Sequence, residues 1–322
     1  MQHRTAPSIA VIVPVYRAHY LATCLASVFA QTLSPSQVIV VDDGSPDGVE
    51  VDNAVAPYRD RLILLRQDNL GAGAARNRGL RHSSTELIAF LDADDLWCPQ
   101  HLARQAGVLW QDDGPALVYA NGRLMGDGPL SGMLFMDTAP STGEPTLEAL
   151  LSQRCTILTS SVVVERSVIF AAGLFDESLR RGQDFDMWVR LAAAGARFSY
   201  TTEPLVCRRI HAMNLSGDRL SELERAAAVY QRLRAKLGFG PAAVQALDTQ
   251  LRLFHADIHA ERGKRDLAAG AVIDAAAHFR EAAGAGAGWK VQVVSLALRI
   301  APRVTRHAYA FKTRRSPAPE VA

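Results

Sequence analysis

Cysteine is scarce in this sequence: Cys24, Cys98, Cys155 and Cys207 are the only four, with no CxxC pair and no Cys/His grouping at zinc spacing. That leaves no disulfide framework or structural zinc site to organise the chain, and a reducing compartment is expected. Excess charge is equally scarce, since 35 Lys and Arg balance 33 Asp and Glu to leave a formal +2. Without a whole-chain basic field, nucleic acid is not an expected partner. Long hydrophobic runs are missing too. The weakly charged stretch 18–41 is broken by Gln31, Ser34, Pro35, Ser36 and Gln37, so no transmembrane helix is expected. MQHRTAPS leads straight into an apolar run rather than a secretory hydrophobic region with a cleavage site, which makes a cytoplasmic location the expectation.

The chain that remains is 322 residues long, 48% hydrophobic and 21% charged, an ordinary balance for a globular protein. At about 150 residues per domain, that length predicts two structural units. Short β-branched runs at 9–15, 38–41, 62–65 and 87–91 alternate with helical stretches at 21–31, around Arg76 and Asn77, and from near Pro99. Such alternation predicts an α/β domain on an open, mostly parallel sheet flanked by helices. Gly, Pro, Ser and Met crowd 121–156, where a variable loop is expected. A strand at 159–164 and a helix at 185–194, with Phe185, Trp188 and Leu191 inward, come next. Beyond Gly217 the composition becomes Ala-rich and helical, with helices expected at 221–237, 242–262 and 271–283. The predicted boundary therefore separates an α/β domain, 1–217, from an all-helical extension, 218–322.

Polar residues collect where the expected strands end, the usual place for a ligand in an open α/β sheet. LIAFL at 87–91 delivers Asp92, Asp94 and Asp95 within four positions. Carboxylates so close raise one another's pKa unless a cation compensates, and hard oxygens in a compact turn suit Mg²⁺ or Mn²⁺. The competing explanation is a cap for the helix near Pro99. VDDGS at 41–45 offers Asp42 and Asp43, either as ligand contacts or as an ordinary polar turn. In NLGAGAARNRG at 69–79 the glycines allow close backbone approach, and Arg76 supplies a forked cation. Helix-start chemistry with a surface arginine is the plain alternative. A dinucleotide fingerprint does not fit, because Gly71 and Gly73 follow the third strand and Arg76 stands where the third glycine belongs. Asp184, just before an inward-packed helix, is positioned as a fixed general base; Asp186 competes for that role and for the helix cap.

VPVY at 13–16, VDDGS at 41–45, NLGAGAARNRG at 69–79, LDADD at 91–95 and QDFDMWVRLA at 183–192 together resemble, in order and spacing, glycosyltransferase family 2, nucleotide-sugar enzymes of the GT-A fold. The resemblance covers about residues 8–216. It implies a hexosyltransferase-type enzyme that takes a nucleoside-diphosphate sugar, UDP-linked, and passes the sugar with inversion to a glycan or lipid-linked acceptor in surface polysaccharide synthesis. It further implies that Pro14, Tyr16, Asp42 and Asp43 meet the nucleotide, that Arg76, Asp92 and Asp94 meet the nucleotide sugar, and that Asp94, Asp95 and His211 hold the metal. Asp184 matches the acceptor-activating base, with Gln183 where the family often has Glu. A nucleotide-sugar binder without catalysis and a helical interaction protein are the rival readings.

The tail has two further features. Residues 255–285 resemble a tetratricopeptide-type helical hairpin, too short for a solenoid and so an ornament or an oligomer contact. From 290 to 315 the chain carries Lys290, Arg299, Arg303, Arg306, Lys312, Arg314 and Arg315 with no acid, and Trp289, Val294, Leu298 and Phe311 lie among them. This basic amphipathic pattern suits the anionic inner face of a membrane, with a solvated helix packed on its own domain as the alternative.

Overall fold

The computed structural model describes residues 7–111, 113–210, 218–306 and 308. Two compact units divide at Leu215 and Ser216. In the first, eight strands form one sheet: β1 (Ile9–Val15), β2 (Gln37–Asp43), β3 (Ile63–Gln67), β4 (Leu87–Phe90), β5 (Leu96–Trp97), β6 (Leu117–Gly126), β7 (Val163–Glu165) and β8 (Phe198–Ile210). Their order is β3-β2-β1-β4-β7-β6-β8-β5. β1 pairs in parallel with β2 and β4, β2 with β3, and β6 with β8; β7 and β5 pair antiparallel with their neighbours. Every residue of β1, IAVIVPV, is buried. A continuous apolar run of this kind is what a strand covered on both faces requires.

The helices of this unit are α1 (Leu21–Phe29), α2 (Gly48–Val55), α3 (Ala72–His82), α4 (His101–Leu109), α5 (Phe135–Thr138), α6 (Leu147–Leu151), α7 (Arg166–Ala171) and α8 (Gln183–Ala193). Side chains alternate across β2: Val38 and Val40 join the large core with α1 and α2, whereas Ile39 and Val41 pack with Ala75 of α3. Gly79 brings α3 directly onto β1, for a Cβ there would stand 2.6 Å from Ile12 Cγ2. Order reverses at β1, whose neighbours are β2 on one side and β4 on the other. Such a switch point opens a crevice beyond the carboxyl ends of the strands.

Three local expectations change. The helix after the acidic turn starts at His101, with Gln100 in the cap position, so neither Asp94 nor Asp95 caps it. Thr159–Ser161 is a 3₁₀ turn, and the strand begins only at Val163. Within the expected loop at 121–156, β6 runs on to Gly126 and pairs with β8 along its length. Pro204 and the Asn121-Gly122 step disguised both strands. The pairing jumps from Ala120↔Thr201 to Asn121↔Pro204, a bulge that accommodates the proline. Asn121 fills the gap, donating to Thr202 O and accepting from Gly122 N and Met136 N.

The second unit contains α9 (Arg219–Lys236), α10 (Pro241–Ala269), α11 (Val272–Gly284) and α12 (Trp289–Ile300). Gly270, at φ +83°, ends α10 in the left-handed conformation that glycine accepts without strain. Small residues set the helix crossing: Ala256, Ala260 and Ala282 form one buried cluster, and a Cβ on Gly263 would meet Phe279 Cδ2 at 2.8 Å. No described helix is long and apolar enough to cross a membrane.

Candidate active site

A cleft of about 1180 Å³ opens beyond the ends of β1, β2 and β4. Pro14, Tyr16, Asp43, Arg76, Asp92, Asp94, Asp95 and Asp184 all line it. Eight of the ten residues singled out in the sequence thus meet at one place. Asp42 does not line the cleft. Adjacent strand residues face opposite ways, and the Asp42 carboxylate accepts from Ser45 N at 2.9 Å and pairs with Arg66 at 3.4 Å. The tenth residue, His211, lies outside the described residues.

Asp43 is 3% exposed and closes the loop after β3. Oδ1 accepts from Gln67 Nε2 at 2.8 Å and from Leu70 N at 2.9 Å, and Oδ2 accepts from Gly71 N at 2.8 Å. The same loop depends on Gly44, whose φ is +73° and whose Cβ would collide with Asn69 N at 2.7 Å. α3 begins just beyond and carries Arg76, 3% exposed, with Nη2 2.5 Å from Asp92 Oδ1. Arg76 Nε and Nη1 are buried without hydrogen-bond partners. Orphaned buried donors on an always-charged group lining a cleft fit an anionic ligand.

On the acidic turn the three carboxylates differ. Asp92 is about two-fifths exposed and held at one oxygen by Arg76. Asp94 is half-buried, and its carbonyl accepts from Arg209 Nε at 3.1 Å. Asp95 is buried, with Oδ2 accepting from Ser160 Oγ at 2.5 Å and Oδ1 from Arg209 N at 2.8 Å. Burial, then the charges of Asp94 and Asp92, push the Asp95 carboxyl up to about 8. Burial and the same three aspartates also raise the Cys24 thiol. This is an environment that favours added positive charge. Among the described residues no group of three His, Cys, Asp or Glu side chains could hold a metal ion. Mg²⁺ and Mn²⁺ are nevertheless suited to one or two carboxylates completed by phosphate oxygens and water, and Asp94 with its neighbours fits that donor set.

Gly182, at φ +74°, leads into α8 and places Asp184 in the first turn. Thr159 Oγ1 donates to Asp184 Oδ2 at 2.9 Å, and Phe185 N donates to Oδ1 at 2.9 Å. No cation pairs with it among the described residues. Asp186, its rival, is 1% exposed and bonded to Arg190 at 2.8 Å, which removes it from contact with a substrate. The Thr159–Ser161 turn links the two acidic groups, since Thr159 holds Asp184 and Ser160 holds Asp95. Trp97 Nε1, donating to Ser160 O at 2.6 Å, anchors that turn.

Several lining residues escaped the sequence reading: Arg17, His19, Tyr20, Arg180 and Arg181. Arg209 also lines the cleft, its guanidinium 4.0 Å from the centre of the Tyr20 ring. None belongs to a motif with its own spacing signal. Position in an acid-rich cleft reveals them.

The pattern of the family described as Glycosyl transferase family 2 matches residues 10–138. An uncharacterized glycosyltransferase of Rickettsia typhi is 28% identical over 246 residues, 73% of this chain and 74% of that protein. The amylovoran biosynthesis glycosyltransferase AmsB of Erwinia amylovora is 29% identical over 208 residues, 62% of this chain and 68% of its own. Among solved structures, S. aureus TarS in complex with UDP superposes with a TM-score of 0.60 at 19% identity, over 97% of this chain and 93% of that one. The mannosyltransferase PcManGT from Pyrobaculum calidifontis, in complex with GDP-Man and Mn²⁺, gives 0.63 at 20% identity over 96% and 85%. These structural likenesses establish the GT-A fold. With the motifs converging on one cleft and relatives that are glycosyltransferases, the chain is a glycosyltransferase whose residues 10–138 carry the glycosyltransferase family 2 pattern.

Proposed function

We propose that this glycosyltransferase moves a sugar from a UDP-linked donor to a hydroxyl of a glycan or lipid-linked acceptor, with inversion and with a divalent cation, in the synthesis of a surface polysaccharide. The observation that carries the reading is the union of Asp184 and the Asp92–Asp95 turn in one cleft through consecutive hydroxyls. Asp184, fixed and with no cation partner among the described residues, takes the proton from the acceptor hydroxyl. The resulting nucleophile attacks the anomeric carbon from the face opposite the leaving diphosphate, and a single displacement inverts the centre. Arg76 aims its unpartnered N–H groups at phosphate oxygens, Tyr16 offers its ring to the base, and Asp43 holds the intervening loop. Asp94 is the principal ligand for Mn²⁺ or Mg²⁺, with Asp95 beneath it and His211 assigned as an additional ligand. When bound, the cation offsets charge on the leaving diphosphate. TarS is seen with UDP and PcManGT with Mn²⁺, which supports this choice of donor and cofactor. UDP together with Mn²⁺ should raise the melting temperature of the full chain more than either alone, because a ligand of the native state stabilises it. No shift, measured alongside GDP and CDP, would exclude a UDP donor.

Membrane attachment through the second unit is part of the same proposal. On and just after α12, Trp289, Val293, Leu296, Ile300 and Val304 are each more than half exposed and follow helical spacing. Lys290, Arg299, Arg303 and Arg306 accompany them without any acid between 289 and 306. An apolar stripe with basic flanks suits an anionic lipid surface. Replacing Trp289, Leu296 and Ile300 together by Ser should cut sedimentation with phosphatidylglycerol-containing vesicles about tenfold or more. Equal binding by the variant, or a loss of self-association in its place, would contradict it.

A further inference from the structure

We propose that Arg180 and Arg181 form an anion-binding station on the acceptor side of the cleft, so that the acceptor carries a phosphoryl group close to its reacting hydroxyl. The inference rests on Asp184 marking the acceptor side. Its starting point is the distribution of cations around the cleft. Arg76 is paired with Asp92, and Arg209 is engaged by the Asp94 carbonyl, so both stand beside the acidic turn where the donor diphosphate is placed. Arg180 and Arg181 line the cleft in the segment that runs directly into Gln183 and Asp184.

Arg180 is held in position. Nη1 donates to Asn69 Oδ1 at 3.2 Å, and Nη1 and Nη2 both reach Asn69 O at 3.4 Å. Gly71 makes room, since a Cβ there would lie 3.3 Å from Arg180 Nη1. Asn69 supplies neutral acceptors only, so the guanidinium charge is oriented without being cancelled. Arg181 is exposed and forms no ion pair among the described residues. Both cations sit at the start of α8, an eleven-residue helix whose N-terminal end favours anions. A second feature points to a ligand at the same spot: Gln183 is 7% exposed, lines the cleft, and its Oε1 has no hydrogen-bond partner. An acceptor hydroxyl donating to Gln183 and approaching Asp184 would place a neighbouring phosphoryl group against Arg180 and Arg181. Those cations would also offset the repulsion between that phosphate and the Asp184 carboxylate. A neutral sugar would leave both guanidinium charges without an anionic partner among the described residues.

The test uses the full chain saturated with UDP and Mn²⁺, which fills the donor site, and calorimetric titration with three probes. These are sn-glycerol 3-phosphate, water-soluble dihexanoylphosphatidylglycerol and glycerol. At least one phosphorylated probe should bind while glycerol does not, and tighter binding of the lipid headgroup than of the free phosphate would identify a lipid-linked source. The R180A/R181A double variant should lose about tenfold or more in affinity for that probe, the scale of a lost charge-assisted contact, and should keep its UDP affinity. Equal affinity in the variant, equal binding of glycerol, or binding of none of the three overturns the proposal. A chain that binds no UDP in the first step overturns the donor assignment itself, so the two failures are told apart.

Discussion

Asp184→Asn should lower sugar transfer about a hundredfold to ten-thousandfold, the range that a positioned general base contributes, while UDP affinity stays within about twofold of wild type. The amide keeps the size of the carboxylate and can still meet Thr159 Oγ1, so the start of α8 is preserved. What it loses is the capacity to accept a proton. Asp186 cannot substitute, because its carboxylate is buried and committed to Arg190. Steady-state rates and UDP titration on the same preparation separate the two effects. Asp186→Asn is the informative contrast: it removes the buried charge that Arg190 is paired with, and the expected consequence is a lower melting temperature.

Asp94→Ala should produce the opposite pattern. Metal-dependent UDP binding should weaken about tenfold or more, since Asp94 lines the cleft and its removal takes away a principal oxygen donor. Binding measured without added metal should change little. Asp95 does not offer so clean a test. Its two oxygens tie Ser160 and the backbone of Arg209 together, so its loss would disturb the turn that also holds Asp184. Titration with Mn²⁺ at fixed UDP reads the difference, and an unchanged metal response in Asp94→Ala would remove Asp94 from the cation site.

The parts of the fold legible in the sequence were those governed by local pattern. β1 and β4 are uninterrupted apolar runs, as is Val38–Val41 within β2, and acidic groups stand at the end of β2 and just beyond β4. Motif order then carried the site, because Asp43, Arg76, Asp94 and Asp184 belong to segments with recognisable composition. Side-chain direction was harder. Asp42 and Asp43 are neighbours with identical chemistry, and only the face of β2 on which α3 packs separates them. Period-two alternation gave a usable signal there: Asp43 shares its parity with Ile39 and Val41. Asp184 and Asp186 were separated by an ion pair four residues on, which the sequence permitted without requiring.

The long β6–β8 pairing was hidden because Pro204 and the Asn121-Gly122 step are compatible with loops, and a bulge is what reconciles them with a sheet. Least legible was Thr159-Ser160. Two small hydroxyl residues carry no periodicity and no motif, yet they hold the two acidic groups of the cleft in register. Their function arises from tertiary placement, in the turn that Trp97 fixes from a separate strand.

The central claim is that one acidic group receives the acceptor's proton while another secures the donor. Its most direct test is a paired measurement on wild type, Asp184→Asn and Asp94→Ala: UDP binding at saturating Mn²⁺, and UDP release from a UDP-sugar that the wild type turns over. The account predicts a double dissociation, with Asp184→Asn binding normally and turning over poorly, and Asp94→Ala binding poorly from the outset. Wild-type turnover by Asp184→Asn, or identical defects in both variants, would contradict it.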